Sequence, residues 1–394
     1  MTLPNAIPDR RTDLDWLRIA AFGLLIFYHV GMFYVTWGWH VKSSHAGPLI
    51  EPLMRLSNPW RLTLLFLISG CATRFMLDKM NGVRFLGSRT VRLLVPLVFC
   101  MFVIVPPQTY FELVEKLGFA GSYSEFYQKY ATASGHWAPG GETLITPTWN
   151  HLWFVAYLFV YTLLIVVAGP LVKRIPGASV RWAGHGLPLV LLPWAFLAAM
   201  FVTLRPIFGE THALLDDWYN HPVYFTAFLF GYGVAKHEPF FESAERMRWP
   251  LIVLGIGFWV TLEILRTANV TGASPLAALV GAALREGQAW MTILAVIGFA
   301  RRHLRRDGPI RRYLTDAIFP FYIIHQTAIV VAGHYLNQIG LPVAIEAPLL
   351  IVITLVTCFA GYEIVRRVAI LRPLFGLKLQ PSPDRRHTPQ PTAS

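Results

Sequence analysis

The sequence predicts an all-α, polytopic integral membrane protein. Of its 394 residues 55% are hydrophobic and only 14% are charged, against about a quarter charged in a soluble globular domain. The apolar residues fall in separate runs of about 17–22, the length that spans a hydrocarbon core as a helix. The basic residues collect between those runs, as expected of loops sorted by the positive-inside rule.

About ten spans can be counted in order: 15–35, 59–77, 91–110, 152–169, 187–204, 223–235, 250–265, 288–300, 317–336 and 348–365. The sixth and eighth are short. The sixth can begin earlier in its loop and the eighth can extend back through 277–284, so nine or eleven spans stay open.

The connections orient the bundle. Arg10 and Arg11 precede the first span, and Arg74, Lys79, Arg84 and Arg89 join the second to the third. Lys173, Arg174 and Arg181 follow the fourth, Lys236, Arg246 and Arg248 the sixth, and Arg301, Arg302, Arg305, Arg306, Arg311 and Arg312 the eighth. Arg366, Arg367, Arg372, Lys378, Arg385 and Arg386 end the chain. These segments share a side only if the number of spans is even, which puts both termini in the cytoplasm. The net charge of +12 is then a topology signal, and no nucleic-acid partner is implied.

Residues 1–13 are polar with no cleavage site behind a short apolar core, so the first span reads as an uncleaved anchor. The membrane domain is placed at 14–370, with a cytoplasmic tail at 371–394 whose Pro-, Gln- and Ser-rich end beyond Leu379 is expected to be disordered. The outside loop 106–150 is too long for a simple connector, so it is either a functional cover or mobile. Trp137, Trp149 and Trp153 at its far end suit an interfacial aromatic belt or a sugar-stacking platform. Cys71, Cys100 and Cys358 lie in or beside apolar spans without CxxC or Cys/His spacing, so neither a disulfide framework nor a metal site is expected. No internal repeat or second soluble domain is visible.

Within the first apolar run, Arg18 and His29 are eleven residues apart. Eleven helical steps return to within about 20° of the same face, with a rise of ~16 Å. This sets Arg18 near one interface and His29 near mid-membrane, where an ionisable side chain marks function. A cation at the mouth and an imidazole halfway in suit a long, anionic-headed ligand arriving from one side, with His29 as general base. Gly31 beside it allows a close neighbour.

Arg89 and Arg92 form an RxxR on one face of the third span's entrance, placed either to hold phosphates or to snorkel. In the second span Trp60-Arg61 lies near the outer interface and Ser69-Gly70 deeper, where Ser69 as a nucleophile would need a base and close helix packing is the commoner reading. In the ninth, Tyr322, His325 and Gln326 lie inside the membrane, with His325 ~12 Å deep from the cytoplasm. Glu263 is the clearest intramembrane carboxylate, and the lack of an acidic chain counts against a proton-coupled pump. Trp39-His40-Val41-Lys42-Ser43 and His151-Leu152-Trp153-Phe154 are placed outside, either to meet an acceptor or as interfacial anchors.

At these residues the chain resembles the membrane acyltransferase-3 family. Arg18…His29 matches its Arg-x10-His pattern and Arg89…Arg92 its Arg-x-x-Arg. Phe66–Gly70 looks like its Phe-Phe-x-x-Ser-Gly element, and Phe321–Gln326 like its late Tyr/His element. Leu14-Asp15, residues 39–43, Ile68-Ser69-Gly70 and residues 151–154 look most like the branch that modifies periplasmic glucans, including glucan succinyltransferases. The Trp-Ser-Leu-x-x-Glu stretch of many polysaccharide O-acetylases of the family is absent: residues 148–153 here contain no Glu.

The resemblance implies a multi-pass protein of the bacterial inner membrane. It would transfer an acyl group, acetyl or succinyl, from cytoplasmic acyl-CoA to a hydroxyl of an extracytoplasmic glycan, most simply a glucan. It implies Arg18, Arg89 and Arg92 for the CoA phosphates and His29 as base, with His325 orienting the acceptor or stabilising an oxyanion. Ser69, Trp39, His40, Arg61, His151, Trp153 and Gln326 are then candidate substrate-binding residues, no metal is needed, and Arg61 or Lys42 would meet a succinyl carboxylate. The rivals are acylation of another acceptor (lipid-linked sugar, cell-wall glycan, antibiotic or small metabolite), a glycan or lipid transporter without chemistry, and a membrane scaffold.

Overall fold

The computed structural model describes residues 11–141, 143–169 and 184–379. Arg10, Lys173, Arg174, Arg181, Arg385, Arg386 and the end of the tail lie outside the described residues. Among the described residues every regular element is helical, and the chain is a polytopic membrane protein.

Each of the ten expected spans coincides with helix. They are α1 (Thr12–Tyr34) and α2 (Glu51–Leu77); α3 (Gly82–Arg89), a π-helical turn Thr90–Leu94 and α4 (Val95–Val103); and, after the loop helices α5 (Pro106–Leu117) and α6 (Tyr123–Ala131), α7 (Trp153–Val167). Then come α8 (Gly186–Thr203), the short α9 (Arg205–Phe208), α10 (Asn220–Val234), α11 (Glu238–Thr267) and α12 (Pro275–His303). Last are α13 (Pro309–Ile339), α14 (Val343–Arg367) and the short α15 (Leu371–Leu374).

Among the described residues eight helical stretches are long and apolar enough to cross a membrane. The two expected spans outside that set are α10, with 15 residues, and α12, which carries Arg285-Glu286 at mid-helix. Both pack inside the bundle, α10 on α2 and α12 on α11, α8 and α2. A helix screened from lipid need not be apolar all round. The lipid-facing layer is α8, α11 and α14, which bury few residues, whereas α1, α2, α7 and α13 bury most of theirs.

Local sequence sets the ends. Asn81 accepts from the Arg84 amide to cap α3, Ser122 from the Glu125 amide to cap α6, and Ser274 from the Ala277 amide to start α12 ahead of Pro275. Such caps satisfy amides that a helix start leaves open.

Three findings add to the sequence reading. Much of segment 106–150 is helical: α5 and α6 fold over a small core of Leu113, Phe126 and Tyr130, with Trp137 against it, and α5 lies on α13. Arg89 and Arg92 do not share a simple i, i+3 face, because the π turn beginning at Thr90 advances each residue less around the axis than an α turn does. The basic residues also do more than sort topology. Arg311, 1% exposed, binds Asp15 at 2.6 Å and Asp307 at 2.7 Å. Arg11 and Arg301 meet on Glu238, so buried ion pairs tie the basic ends of α1, α11, α12 and α13 together.

The closest helix contact is α2 on α10. A Cβ on Gly70 would stand 1.9 Å from the Phe228 carbonyl oxygen, and one on Gly231 would stand 2.0 Å from that of Leu67. The two glycines let the backbones touch, which is how membrane helices gain packing without a hydrophobic drive.

Candidate active site

A cavity of about 410 Å³ opens among the ends of α1, α2, α7, α10, α12 and α13 and the loops at 35–50, 150–152 and 209–219. This is the end of the bundle away from the arginine-rich connections. His29, on α1, lines it, and Gly31 two residues on leaves room for Met54 of α2, whose sulfur would stand 2.4 Å from a Cβ there.

His29 and His325 come from opposite ends of the sequence and meet at 2.7 Å, Nδ1 to Nε2, with ring planes 3° apart. The matching depth read from the sequence is therefore a direct contact. The tautomers follow from the partners. His325 Nδ1 lies 2.7 Å from the Tyr322 carbonyl oxygen, which can only accept, so His325 carries its proton on Nδ1. Its Nε2 lone pair then accepts from His29 Nδ1–H, leaving Nε2 of His29 as the unprotonated nitrogen. That is the arrangement of a general base held in one tautomer by a second residue.

His325 is 0% exposed and both its nitrogens are engaged. It therefore has no free nitrogen for an acceptor or an oxyanion. His151 is likewise committed: Nε2 donates to the Tyr322 and Ile323 carbonyls at 3.1 and 3.2 Å, and the Tyr322 hydroxyl donates to the His151 carbonyl.

Around this pair runs a polar network that the sequence reading missed in part. His40 Nδ1 donates to Glu112 of α5 at 2.5 Å, and His40 Nε2 accepts from the Gln326 amide at 3.0 Å. Gln326 also donates to Gln108 Oε1 at 3.0 Å, and the Gln108 amide donates to Thr327 at 2.7 Å. The outer helix α5 is thereby bonded to the intramembrane face of α13. Buried networks of this kind hold shape when every member is satisfied.

The opposite wall is built by Asp217, which is 0% exposed. It accepts from Tyr157 at 2.6 Å, from Asn220, and from the His212 amide at 3.1 Å. The loop so fixed lines the cavity with Glu210 and His212, and α12 adds Arg285 and Glu286. His212 stacks on Trp153 at 4.2 Å between centroids, and burial pushes its pKa down. A charged pair inside the apolar run 277–300 and carboxylates in a loop gave the sequence no spacing to recognise.

The remaining candidates divide. Trp39, His40, Arg61, His151, Trp153 and Gln326 all line the cavity. Arg61 lies further along its helix than a start at Pro59 would give. It lies ten residues into α2, ~15 Å by helical rise, 5% exposed and 3.3 Å above the Tyr28 ring. Ser69 does not line the cavity; it sits beside Gly70, at the α2–α10 contact. Lys42 does not line it either. Its ammonium donates to the Met32 and Trp37 carbonyls at 2.6 and 2.9 Å, and burial lowers its pKa to about 8. Glu263 is held by Arg55 at 2.8 Å, at the outer end of α11.

At the basic end, Arg89 is buried, and among the described residues its partners are Thr73 at 3.4 Å and the Phe85 ring at 5.1 Å, with none at its Nε. Arg18 and Arg92 are the charges acting on it. Arg18, Arg89 and Arg92 therefore lie near one another at this end of the bundle, with Asp15 4.0 Å from Arg18. Between Arg18 and His29 the same face of α1 carries buried Phe22 and Leu25, with Phe22 against Tyr322 at 5.2 Å.

Residues 11–363 match the acyltransferase-3 family, an acyltransferase domain. The match spans most of the chain: this protein belongs to that family and is a membrane acyltransferase. No curated protein and no solved structure matches it.

Proposed function

We propose that this acyltransferase moves an acetyl or succinyl group from cytoplasmic acyl-CoA to a hydroxyl of an extracytoplasmic glycan, with a periplasmic glucan as the acceptor. It would act in a bacterial inner membrane with both termini inside. Residues 14–370 form the membrane domain, 106–150 lie outside, and 371–394 are the inner tail.

The observation that carries this reading is the position of His29. Its unprotonated nitrogen belongs to a cavity at one end of the bundle, on the same helix as an arginine that lies near Arg89 and Arg92 at the other. The CoA phosphates meet Arg18, Arg89 and Arg92, and the pantetheine arm passes Phe22 and Leu25 to bring the thioester to His29. The acceptor fills the cavity against Trp39 and Trp153, whose faces suit sugar rings, with His40, Gln326 and His151 shaping the floor.

The test uses purified protein, neutral glucan and radiolabelled acetyl-CoA or succinyl-CoA. Label on the glucan supports the reading and names the donor. Donor consumption with label on a lipid-linked sugar instead changes the acceptor, and glucan movement with no donor consumption contradicts the chemistry. In the same assay Arg89→Met is expected to raise KM for acyl-CoA about 10- to 100-fold, the worth of one charge-assisted hydrogen bond. Its kcat at saturating donor is expected to stay near wild type.

A further inference from the structure

His325 and His151 are committed to backbone carbonyls and His40 to Glu112 and Gln326, so none of these three supplies a donor to the developing oxyanion of acyl transfer. Among the described residues two arginines line the cavity. Arg285 is bound by its neighbour Glu286. Arg61 is more than nine-tenths buried, and its Nε and Nη1 have no hydrogen-bond partner.

No carboxylate stands within ion-pair distance of Arg61 among the described residues. Glu210, the cavity's other acid, is taken by Arg205 at 2.8 Å. The side-chain amides nearby are engaged elsewhere through one N–H each: Asn58 donates to the Tyr28 hydroxyl at 2.9 Å and Asn150 to Gln108 at 3.0 Å. Tyr28, directly before His29, carries the guanidinium carbon 3.3 Å from its ring centroid, which fixes the cation without neutralising it. A guanidinium stays protonated in a protein, so here it is a permanent, oriented positive charge beside the base and shielded from water.

We propose that Arg61 is the group that stabilises the oxyanion of the acyl-transfer step. This rests on the reading of His29 as base. The acceptor hydroxyl oxygen bonds to the thioester carbonyl carbon while its proton passes to His29 Nε2. The carbonyl π pair moves onto oxygen, and Arg61 donates to that oxyanion. On collapse the C–O double bond re-forms, the C–S bond breaks, and the thiolate leaves with the proton that His29 returns. The products are the ester and the free thiol. Preorganised donors in a water-poor site stabilise such charge most strongly.

The experiment compares wild type, His29→Ala, Arg61→Met, Arg61→Lys and Arg61→Ala in lipid nanodiscs, with acetyl-CoA and glucan. Arg61→Met is expected to lower kcat about 10²- to 10³-fold with donor KM changed by less than about threefold. Arg61→Lys is expected to recover part of kcat, and added guanidinium to restore Arg61→Ala where urea does not.

A kcat within about threefold of wild type in Arg61→Met, with His29→Ala inactive, overturns the role of Arg61 and leaves the acyl-transfer reading standing. A higher KM at unchanged kcat, or no rescue by guanidinium, also overturns it. Wild-type protein that consumes no donor overturns both.

Discussion

His29→Ala is expected to abolish acyl transfer, with kcat falling about 10²- to 10⁴-fold, the range of a lost general base. Donor binding should survive, because Arg18 lies ~16 Å away along α1. The substitution removes a half-buried ring from a cavity wall and leaves His325 bonded to the Tyr322 carbonyl. The fold should therefore persist, which a thermal unfolding curve checks. His29→Gln keeps a polar group of similar size and is expected to be as inactive, because an amide cannot take the proton. Substantial activity in either folded variant would remove His29 from the chemistry.

The largest expected effect on stability is at the α2–α10 contact. Gly231→Val should yield little folded protein. The Cβ would sit 2.0 Å from the Leu67 carbonyl oxygen and 3.0 Å from the Leu67 Cα, and backbone cannot rotate aside as a side chain can. Overpacking of a tight core costs about 1–3 kcal/mol when side chains can yield, so a backbone clash at this distance should exceed that. Gly70→Val faces the Phe228 carbonyl in the same way. Because α2 carries Arg61 and α10 carries Tyr224, both on the cavity wall, whatever folds should also lose activity. Yield and midpoint of unfolding in detergent, against Gly257→Val in an open position, measure the effect. Unchanged values at Gly231 would contradict the close contact.

The His29–His325 pair was legible in the sequence because membrane burial makes a lone histidine conspicuous. A residue that costs free energy in hydrocarbon stands out against an apolar run, and fixed helical rise gives its depth without a structure. Depth alone brought His29 and His325 to one level, but it could not say that they touch or which nitrogen holds the proton. Those depend on the Tyr322 carbonyl, and so on the tilt of α13.

The rest of the wall was hidden for a different reason. Glu112, Glu210, His212 and Asp217 come from loops or outer helices, where polar residues are ordinary. Arg285-Glu286 lowered the hydropathy of α12, so its apolar run seemed to begin at Gln288, when the helix starts at Pro275. An adjacent ion pair offsets its own burial and lets a membrane helix carry charge into a cavity. Arg61 looked like an interface residue because helix α2 was read as starting at Pro59, whereas the structure begins it at Glu51. Eight more residues of helix precede the guanidinium, which lines the same cavity as His29.

The most direct test of transfer across the membrane uses sealed vesicles with the arginine-rich loops facing out, neutral glucan trapped inside, and radiolabelled acyl-CoA added outside. Label on the trapped glucan with wild type, and none with folded His29→Ala, is the predicted result. Label that appears only when donor and glucan share one compartment would contradict it.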